Sequence, residues 1–250
     1  SVRLSEPHFG IGGDGIILIS PSDKADAQMR IFNADGSEGK MCGNGIRCVG
    51  KYLYDNGMTD GRTTITVDTL SGVKTLELTV EDGKMVSARV DMGAAILKPA
   101  DIPVDMEGDT VIGAPIVVDE KVYHMTCVSM GNPHCVIFLD EDIDGLDLER
   151  IGPKFEHHAL FPERVNTEFV NVLPDGTLKM RVWERGSGET WACGTGACAV
   201  GVAAVLTGRA QKGEDITVHL RGGDLTVRYT DQTVFMTGAA TTVFKGEIEL

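Results

Sequence analysis

The feature that most constrains this chain is that it repeats itself. MRIFNADGSEGKMCGNGIRCVG, from Met29 to Gly50, lies without a gap over MRVWERGSGETWACGTGACAVG, from Met180 to Gly201, at an offset of 151 residues. Identities fall at Met29/Met180, Arg30/Arg181, Glu38/Glu189, Cys42/Cys193, Gly43/Gly194, Gly45/Gly196, Val49/Val200 and Gly50/Gly201. The match runs on through Gly57/Gly208, Ile65-Thr66-Val67 over Ile216-Thr217-Val218, and Gly72/Gly223. A self-match at a fixed offset means one supersecondary unit used twice.

The unit reads as strand, polar Gly-rich turn, Cys, helix, Gly stop and strand pair. MRIF and MRVW carry β-branched and aromatic residues in alternation, and the stretches after each Cys-Gly read as helices ended by Gly57 and Gly208. ITVDTLSGVKTLELTV and ITVHLRGGDLTVRY read as hairpins turning at Ser71-Gly72 and Gly222-Gly223. The second helix is apolar almost all round, so a central, buried position is expected. DMGAA at 91–95 and MTGAA at 236–240 read as equivalent closing strands. The expected fold class is α/β (α+β): two similar domains related by pseudo-twofold symmetry, each a mixed sheet or barrel wrapped round a central helix. The active site is expected in the cleft between them. The expected extents are 1–97, completed by 241–250, and 98–240, with the Pro-containing stretch 97–105 as linker.

The 250 residues suffice for two compact domains, and no apolar run approaches the roughly 20 residues that a membrane helix needs. A formal charge of −14 disfavours nucleic acid or an anionic membrane as partner, which leaves a small molecule. Six cysteines without a signal peptide point to a reducing compartment, with the cytoplasm as expected location.

Symmetry of this kind would put Cys42 and Cys193 on opposite sides of whatever binds between the halves. Inverting a carbon with an acidic hydrogen requires that arrangement: a base on one face, an acid on the other, able to exchange roles. A thiol suits both, because its ordinary pKa of about 8.5 can be brought near neutral by a helix N-terminus or a cation. The glycines of Cys42-Gly43-Asn44-Gly45 and Cys193-Gly194-Thr195-Gly196 would let backbone N–H groups approach a substrate carboxylate and the charge that builds during deprotonation. Cys48, Cys127, Cys135 and Cys198 read as packing. Cys42-x5-Cys48 and Cys193-x4-Cys198 lack the close spacing of a zinc site, so no metal is expected.

At these residues the chain resembles the diaminopimelate epimerase family: FNADGSEGKMCGNGIRC, GNPHCV and ERGSGETWACGTGACA look like its signature segments, in its order. The resemblance implies conversion of LL-diaminopimelate to the meso form without pyridoxal phosphate or other cofactor, in lysine and peptidoglycan precursor synthesis. It implies Cys42 and Cys193 as the acid–base pair, with His134 and Glu184 beside them tuning protonation. For substrate binding it implies Asn33, Asn132, Asn166 and Arg185, with backbone groups at Gly43-Asn44, Glu184-Arg185 and Gly194-Thr195. Arg185 would fork onto the distant carboxylate. A homodimer is expected, with Phe244 near its contact, and substrate should draw the domains together. Members of the family open with a strand and a Gly-Asn-Asp-Phe segment whose Asn contacts substrate, and nothing in this sequence matches it. Without that segment, binding and the first sheet are compromised. Gly15 falls where relatives can carry Gln. The alternatives are a proline or hydroxyproline racemase, an inactive binding protein, and a redox protein using a Cys42–Cys193 disulfide.

Overall fold

The computed structural model describes residues 1–249; Leu250, the last residue of the segment 241–250 expected to complete the first domain, lies outside the described residues. By internal contacts the chain forms two compact units, Ser1–Val90 together with the segment from Thr237 onward, and Asp91–Met236.

The first unit runs α1 (Val2–Ser5), β1 (Gly15–Ser20), β2 (Ala27–Asn33), β3 (Glu38–Gly39), α2 (Gly43–Asp55), β4 (Thr64–Thr69), β5 (Gly72–Glu81) and β6 (Lys84–Asp91). The sheet order is β1-β2-β4-β5-β6, with β3 paired to β2. Only β2 and β4 are parallel among these neighbours, and α2 is the crossover that a parallel pair requires. Its apolar side, Ile46, Val49 and Leu53, has helical spacing and is buried with Ile65, Val67, Leu76 and Leu78 of the sheet. The other side carries Tyr52 and Cys48, both exposed.

The second unit runs β7 (Ala114–Val118), β8 (Lys121–Ser129), β9 (Pro133–Phe138), α3 (Leu148–Glu156), β10 (Asn166–Val172), β11 (Leu178–Glu184), β12 (Gly188–Thr190), α4 (Gly194–Leu206), β13 (Asp215–Leu220) and β14 (Gly223–Tyr229), and β15 (Val234–Ala239) leads back to the first unit. The order is β14-β13-β11-β10-β9-β8-β7, with β12 on β11. Two neighbouring pairs, β9 with β10 and β11 with β13, are parallel. From Ala197 to Ala204 every residue of α4 is buried, as its all-round apolar sequence requires. A second core gathers under α3, where Phe155 meets the Tyr123 and Phe169 rings edge-on at 5.2 and 5.3 Å.

The sequence repeat is a structural one. Strands β2 and β11, helices α2 and α4, and strands β4 and β13 begin and end at positions separated by the same 151 residues, and β1 and β10 begin at that separation too. Even the parallel registers correspond, Ala27↔Val67 with Leu178↔Val218. An ion pair is repeated as well: Arg30–Glu38 at 2.7 Å on the surface and Arg181–Glu189 at 2.8 Å, nearly buried.

The stretch 97–105 is not an exposed linker. Pro99, Ile102 and Val104 are buried in the second unit, and the Asp105 N–H donates to the Leu160 carbonyl, so Pro99 opens a 3-10 turn, Pro99–Asp101, packed into a core instead of separating domains. Of the four cysteines expected to pack, Cys127, Cys135 and Cys198 are buried, whereas Cys48 is exposed because it faces away from the sheet on amphipathic α2.

Candidate active site

Each repeat delivers its cysteine to the same place, the residue before a helix. Cys42 is the N-cap of α2 and its Sγ accepts the Gly45 N–H at 3.3 Å; Cys193 is the N-cap of α4 and its Sγ accepts the Gly196 N–H at 3.4 Å. A thiol in this position occupies the point where the first-turn N–H groups and the helix dipole favour negative charge. The third helical residue must be small. A Cβ at Gly45 would stand 2.6 Å from Ile17 Cδ1, and one at Gly196 would stand 2.7 Å from Glu168 Oε1.

In the first unit, Arg47 braces the cap. Buried one turn into α2, it donates to the carbonyls of Gly43 (3.0 Å) and Ala239 (3.2 Å) and to Asn44 Oδ1 (3.2 Å). Asn33, at the end of β2, donates to Ser37 Oγ at 3.0 Å within the Gly-rich turn.

In the second unit the ends of β9, β10 and β11 converge on the start of α4. His134 enters from β9, paired in register with Asn166 of the parallel β10, and both its ring and Glu168 on β10 are fully buried. His134 Nδ1 lies 2.7 Å from Glu168 Oε1, and its Nε2 lies 3.1 Å from Asn132 Oδ1. Asn132 Nδ2 donates to Thr195 Oγ1 at 3.3 Å, and Thr195 Oγ1 lies 3.5 Å from Cys193 Sγ. Burial, first of all, and then the charges of Glu184 and Glu168 push the Cys193 thiol well above its ordinary pKa, against the opposing pull of Thr195 and the Gly196 N–H. Burial likewise raises the Glu168 carboxyl, with His134 pulling it down.

Glu184, at the end of β11, accepts a hydrogen bond from the Thr190 hydroxyl. The turn after it is held from below: Glu156 Oε1 accepts the Gly186 N–H at 2.9 Å, Glu156 Oε2 accepts Trp183 Nε1–H at 2.7 Å, and Asn166 Oδ1 accepts the Arg185 N–H at 2.7 Å. The Arg185 guanidinium donates to the Glu163 carbonyl at 2.9 Å.

The structure thus gathers His134, Asn132, Thr195, Gly194 and Cys193 around one helix start, with Glu184 and Arg185 at the adjoining turn and Asn166 of β10 bonded to it. Asn33, Gly43, Asn44 and Cys42 belong to the first unit. Two buried side chains that sequence reasoning missed, Glu168 and Glu156, underpin the second group. Glu168 had a signal, a lone charge inside the strand NTEFVNV. Glu156 had none, since a Glu at a helix end ordinarily faces water. Among the described residues, no three His, Cys, Asp or Glu side chains come together as a metal-binding group, and no helix is long and apolar enough to cross a membrane.

The sequence profile of diaminopimelate epimerases matches residues 2–98 and 126–243. The diaminopimelate epimerase of Agathobacter rectalis is 56% identical over 259 residues, spanning 100% of this chain and 90% of its own; that of Acetivibrio thermocellus is 55% identical, spanning 99% and 88%. The chain belongs to the diaminopimelate epimerase family. Its fold extends beyond that family. A probable proline racemase from Agrobacterium radiobacter K84 superposes with a TM-score of 0.75 at 17% identity over 99% of this chain and 80% of its own. A hydroxyproline epimerase from Agrobacterium vitis superposes with a TM-score of 0.69 at 17% identity over 91% and 73%. At that identity the likeness is one of fold, the mixed two-unit α/β architecture that racemases and diaminopimelate epimerases share.

Proposed function

We propose that this chain interconverts LL- and meso-diaminopimelate with Cys42 and Cys193 as the proton-transferring pair. The observation that carries the reading is the duplicated cap: in a member of this family, two cysteines occupy the same position of two repeat-related helices, each with its Sγ on the third N–H of the helix. The substrate α-carbon would lie between the caps, with one thiolate taking its hydrogen. The electrons of that C–H bond move into the α-carboxylate, whose growing charge the first-turn N–H groups of α2 and α4 would accept. The opposite Sγ–H then delivers its proton to the other face, leaving the thiol and thiolate exchanged. Both transfers are made by side chains, so the reaction as proposed uses no pyridoxal phosphate and no metal.

Burial and the flanking carboxylates favour the protonated form of Cys193, which supports its role as the acid in the resting protein. Asn33, Asn132, Asn166 and Arg185 would bind the two amino-acid heads, together with backbone groups at Gly43-Asn44, Glu184-Arg185 and Gly194-Thr195. A cyclic imino acid has no second charged head to occupy Arg185, which disfavours proline as substrate. The domain extents 1–97 with 241–250 and 98–240, a homodimer and a cytoplasmic location complete the reading.

The test is to incubate the reduced protein with LL-diaminopimelate in deuterated water beside Cys42→Ala and Cys193→Ala. Deuterium entry at the α-carbon with formation of the meso isomer, lost in both variants, is the expected result. Turnover that survives either substitution would overturn the two-thiol reading.

A further inference from the structure

Glu168 is a fully buried carboxylate with one oxygen, Oε1, on His134 Nδ1 and the other, Oε2, without a hydrogen-bond partner. Such a group is costly unless its charge is used. From it a chain of polar contacts with a fixed direction runs to the thiol. An amide oxygen only accepts, so Asn132 Oδ1 at 3.1 Å requires a proton on His134 Nε2. Asn132 Nδ2 then faces Thr195 Oγ1 and donates to it at 3.3 Å. With its lone pair so engaged, the Thr195 hydroxyl is free to direct its own proton at Cys193 Sγ, 3.5 Å away. What keeps the proton on Nε2 rather than Nδ1 alone is the partner at Nδ1. Glu168 does this whether the shared proton sits on the carboxyl or on the ring. The carboxylate reaches this position only because residue 196 has no side chain, since a Cβ there would stand 2.7 Å from Oε1.

We propose that Glu168 is a positioning residue which, through His134 and Asn132, aims the Thr195 hydroxyl proton at the Cys193 sulfur. The proposal rests on the reading of Cys193 as an acid–base thiol. Its consequence is a donor that strengthens as the thiol becomes thiolate, placed on a thiol that burial otherwise keeps protonated. The carboxylates of Glu184 on β11 and Glu168 on β10 act on Cys193 through space, and His134 on β9 pairs with Glu168. Through space, a carboxylate at 168 would oppose the thiolate, so the two routes of action have opposite signs.

The experiment follows the ionisation of Cys193 by the Cβ resonance of isotope-labelled cysteine, assigned with Cys193→Ser, in the unaltered protein, Glu168→Gln, Thr195→Val and the double variant. Glu168→Gln replaces a charge-assisted bond by a neutral amide that no longer dictates which ring nitrogen carries the proton. The midpoint is expected to rise by about one unit in each single variant and to rise no further in the double variant. A fall in Glu168→Gln, no change, or an undiminished effect in the Thr195→Val background would overturn the proposal. If Glu168→Gln does not fold, Asn132→Ala cuts the same chain further on and must raise the midpoint likewise; an unmoved midpoint there overturns it equally. In turnover, Glu168→Gln should lower kcat about tenfold with KM unchanged. The resonance needs no substrate, so an unaltered protein inactive on diaminopimelate would sink the functional reading while leaving Glu168 decided by the spectrum.

Discussion

Replacing Gly196 by Ala tests the packing beneath the second cap. The new Cβ would meet Glu168 Oε1 at 2.7 Å and Cys193 Cβ and Sγ at 3.2 Å. None of these can retreat cheaply: Glu168 is fully buried and tied to His134, and Cys193 is the residue that starts the helix. Overpacking of this kind costs about 1–3 kcal/mol, and a loosened Glu168–His134 contact adds to it, whereas the gain from Ala over Gly in a helix is at most about 1 kcal/mol. The repeat supplies its own control. Gly45→Ala meets Ile17 Cδ1 at 2.6 Å, the far end of a flexible and partly exposed side chain that can rotate away, so its net cost should be near zero. Both tryptophans, Trp183 and Trp191, lie in the second unit, so their fluorescence reports on that unit alone. In urea, with a slope of about 1–3 kcal/mol per molar, Gly196→Ala should lower the fluorescence midpoint by roughly 1 M, and Gly45→Ala should leave it unmoved. Circular dichroism covers the first unit for the Gly45 variant. An unchanged midpoint in Gly196→Ala would refute the claim that close approach, rather than turn flexibility, explains this glycine.

The duplicated ion pair predicts unequal costs: Glu189→Gln leaves Arg181 nearly buried without its anion and should cost about 3–5 kcal/mol, while the exposed Glu38→Gln should cost about 0–1 kcal/mol, both read from urea midpoints. Stability should also fall on the alkaline side. Burial raises the Cys135 and Cys193 thiols in the folded chain, so above the unfolded thiol pKa of about 8.5 the unfolded state sheds protons that the folded state keeps, and stability declines as pH rises until the folded pKa values are reached. Cys193→Ala should flatten that slope, and an unaltered slope would contradict the assignment. Glu156→Gln offers one oxygen where Trp183, Gly186 and Arg164 share two, so it should destabilise the chain by about 1–3 kcal/mol and raise KM for diaminopimelate through the Glu184-Arg185 turn.

Much of this was legible from the repeat. The strand–cap–helix–hairpin unit appears twice at the expected positions, because alternation, Gly stops and apolar runs are local signals. What was not legible were the partners that lie far apart in sequence. Glu168 and His134 are brought together by parallel strands with α3 between them, and no local pattern records that pairing. Glu156 reaches Trp183 and Gly186 for the same reason. The stretch 97–105 misled because proline marks a chain that cannot continue a ladder, which is true of a buried crossing as well as of a linker. The exposure of Cys48 follows from the amphipathic pattern of α2, whose polar positions outweigh the usual burial of cysteine.

The repeat is faithful in backbone and unfaithful in charge. Counted by the common offset, Glu168 corresponds to Ile17 and Glu184 to Asn33, and each of Ile17 and Glu168 is the nearest neighbour of its own cap glycine. One half therefore carries the carboxylates and the other carries none at those positions. If Cys42 and Cys193 are the proton-transferring pair, as proposed, two groups that exchange roles at every turnover need not exchange them on equal terms. On that reading, an enzyme that has just released one isomer holds its proton on the opposite sulfur from one that has released the other. The return between them is a step without substrate, and at high flux it would make the protein carry a brief record of the last handedness it produced.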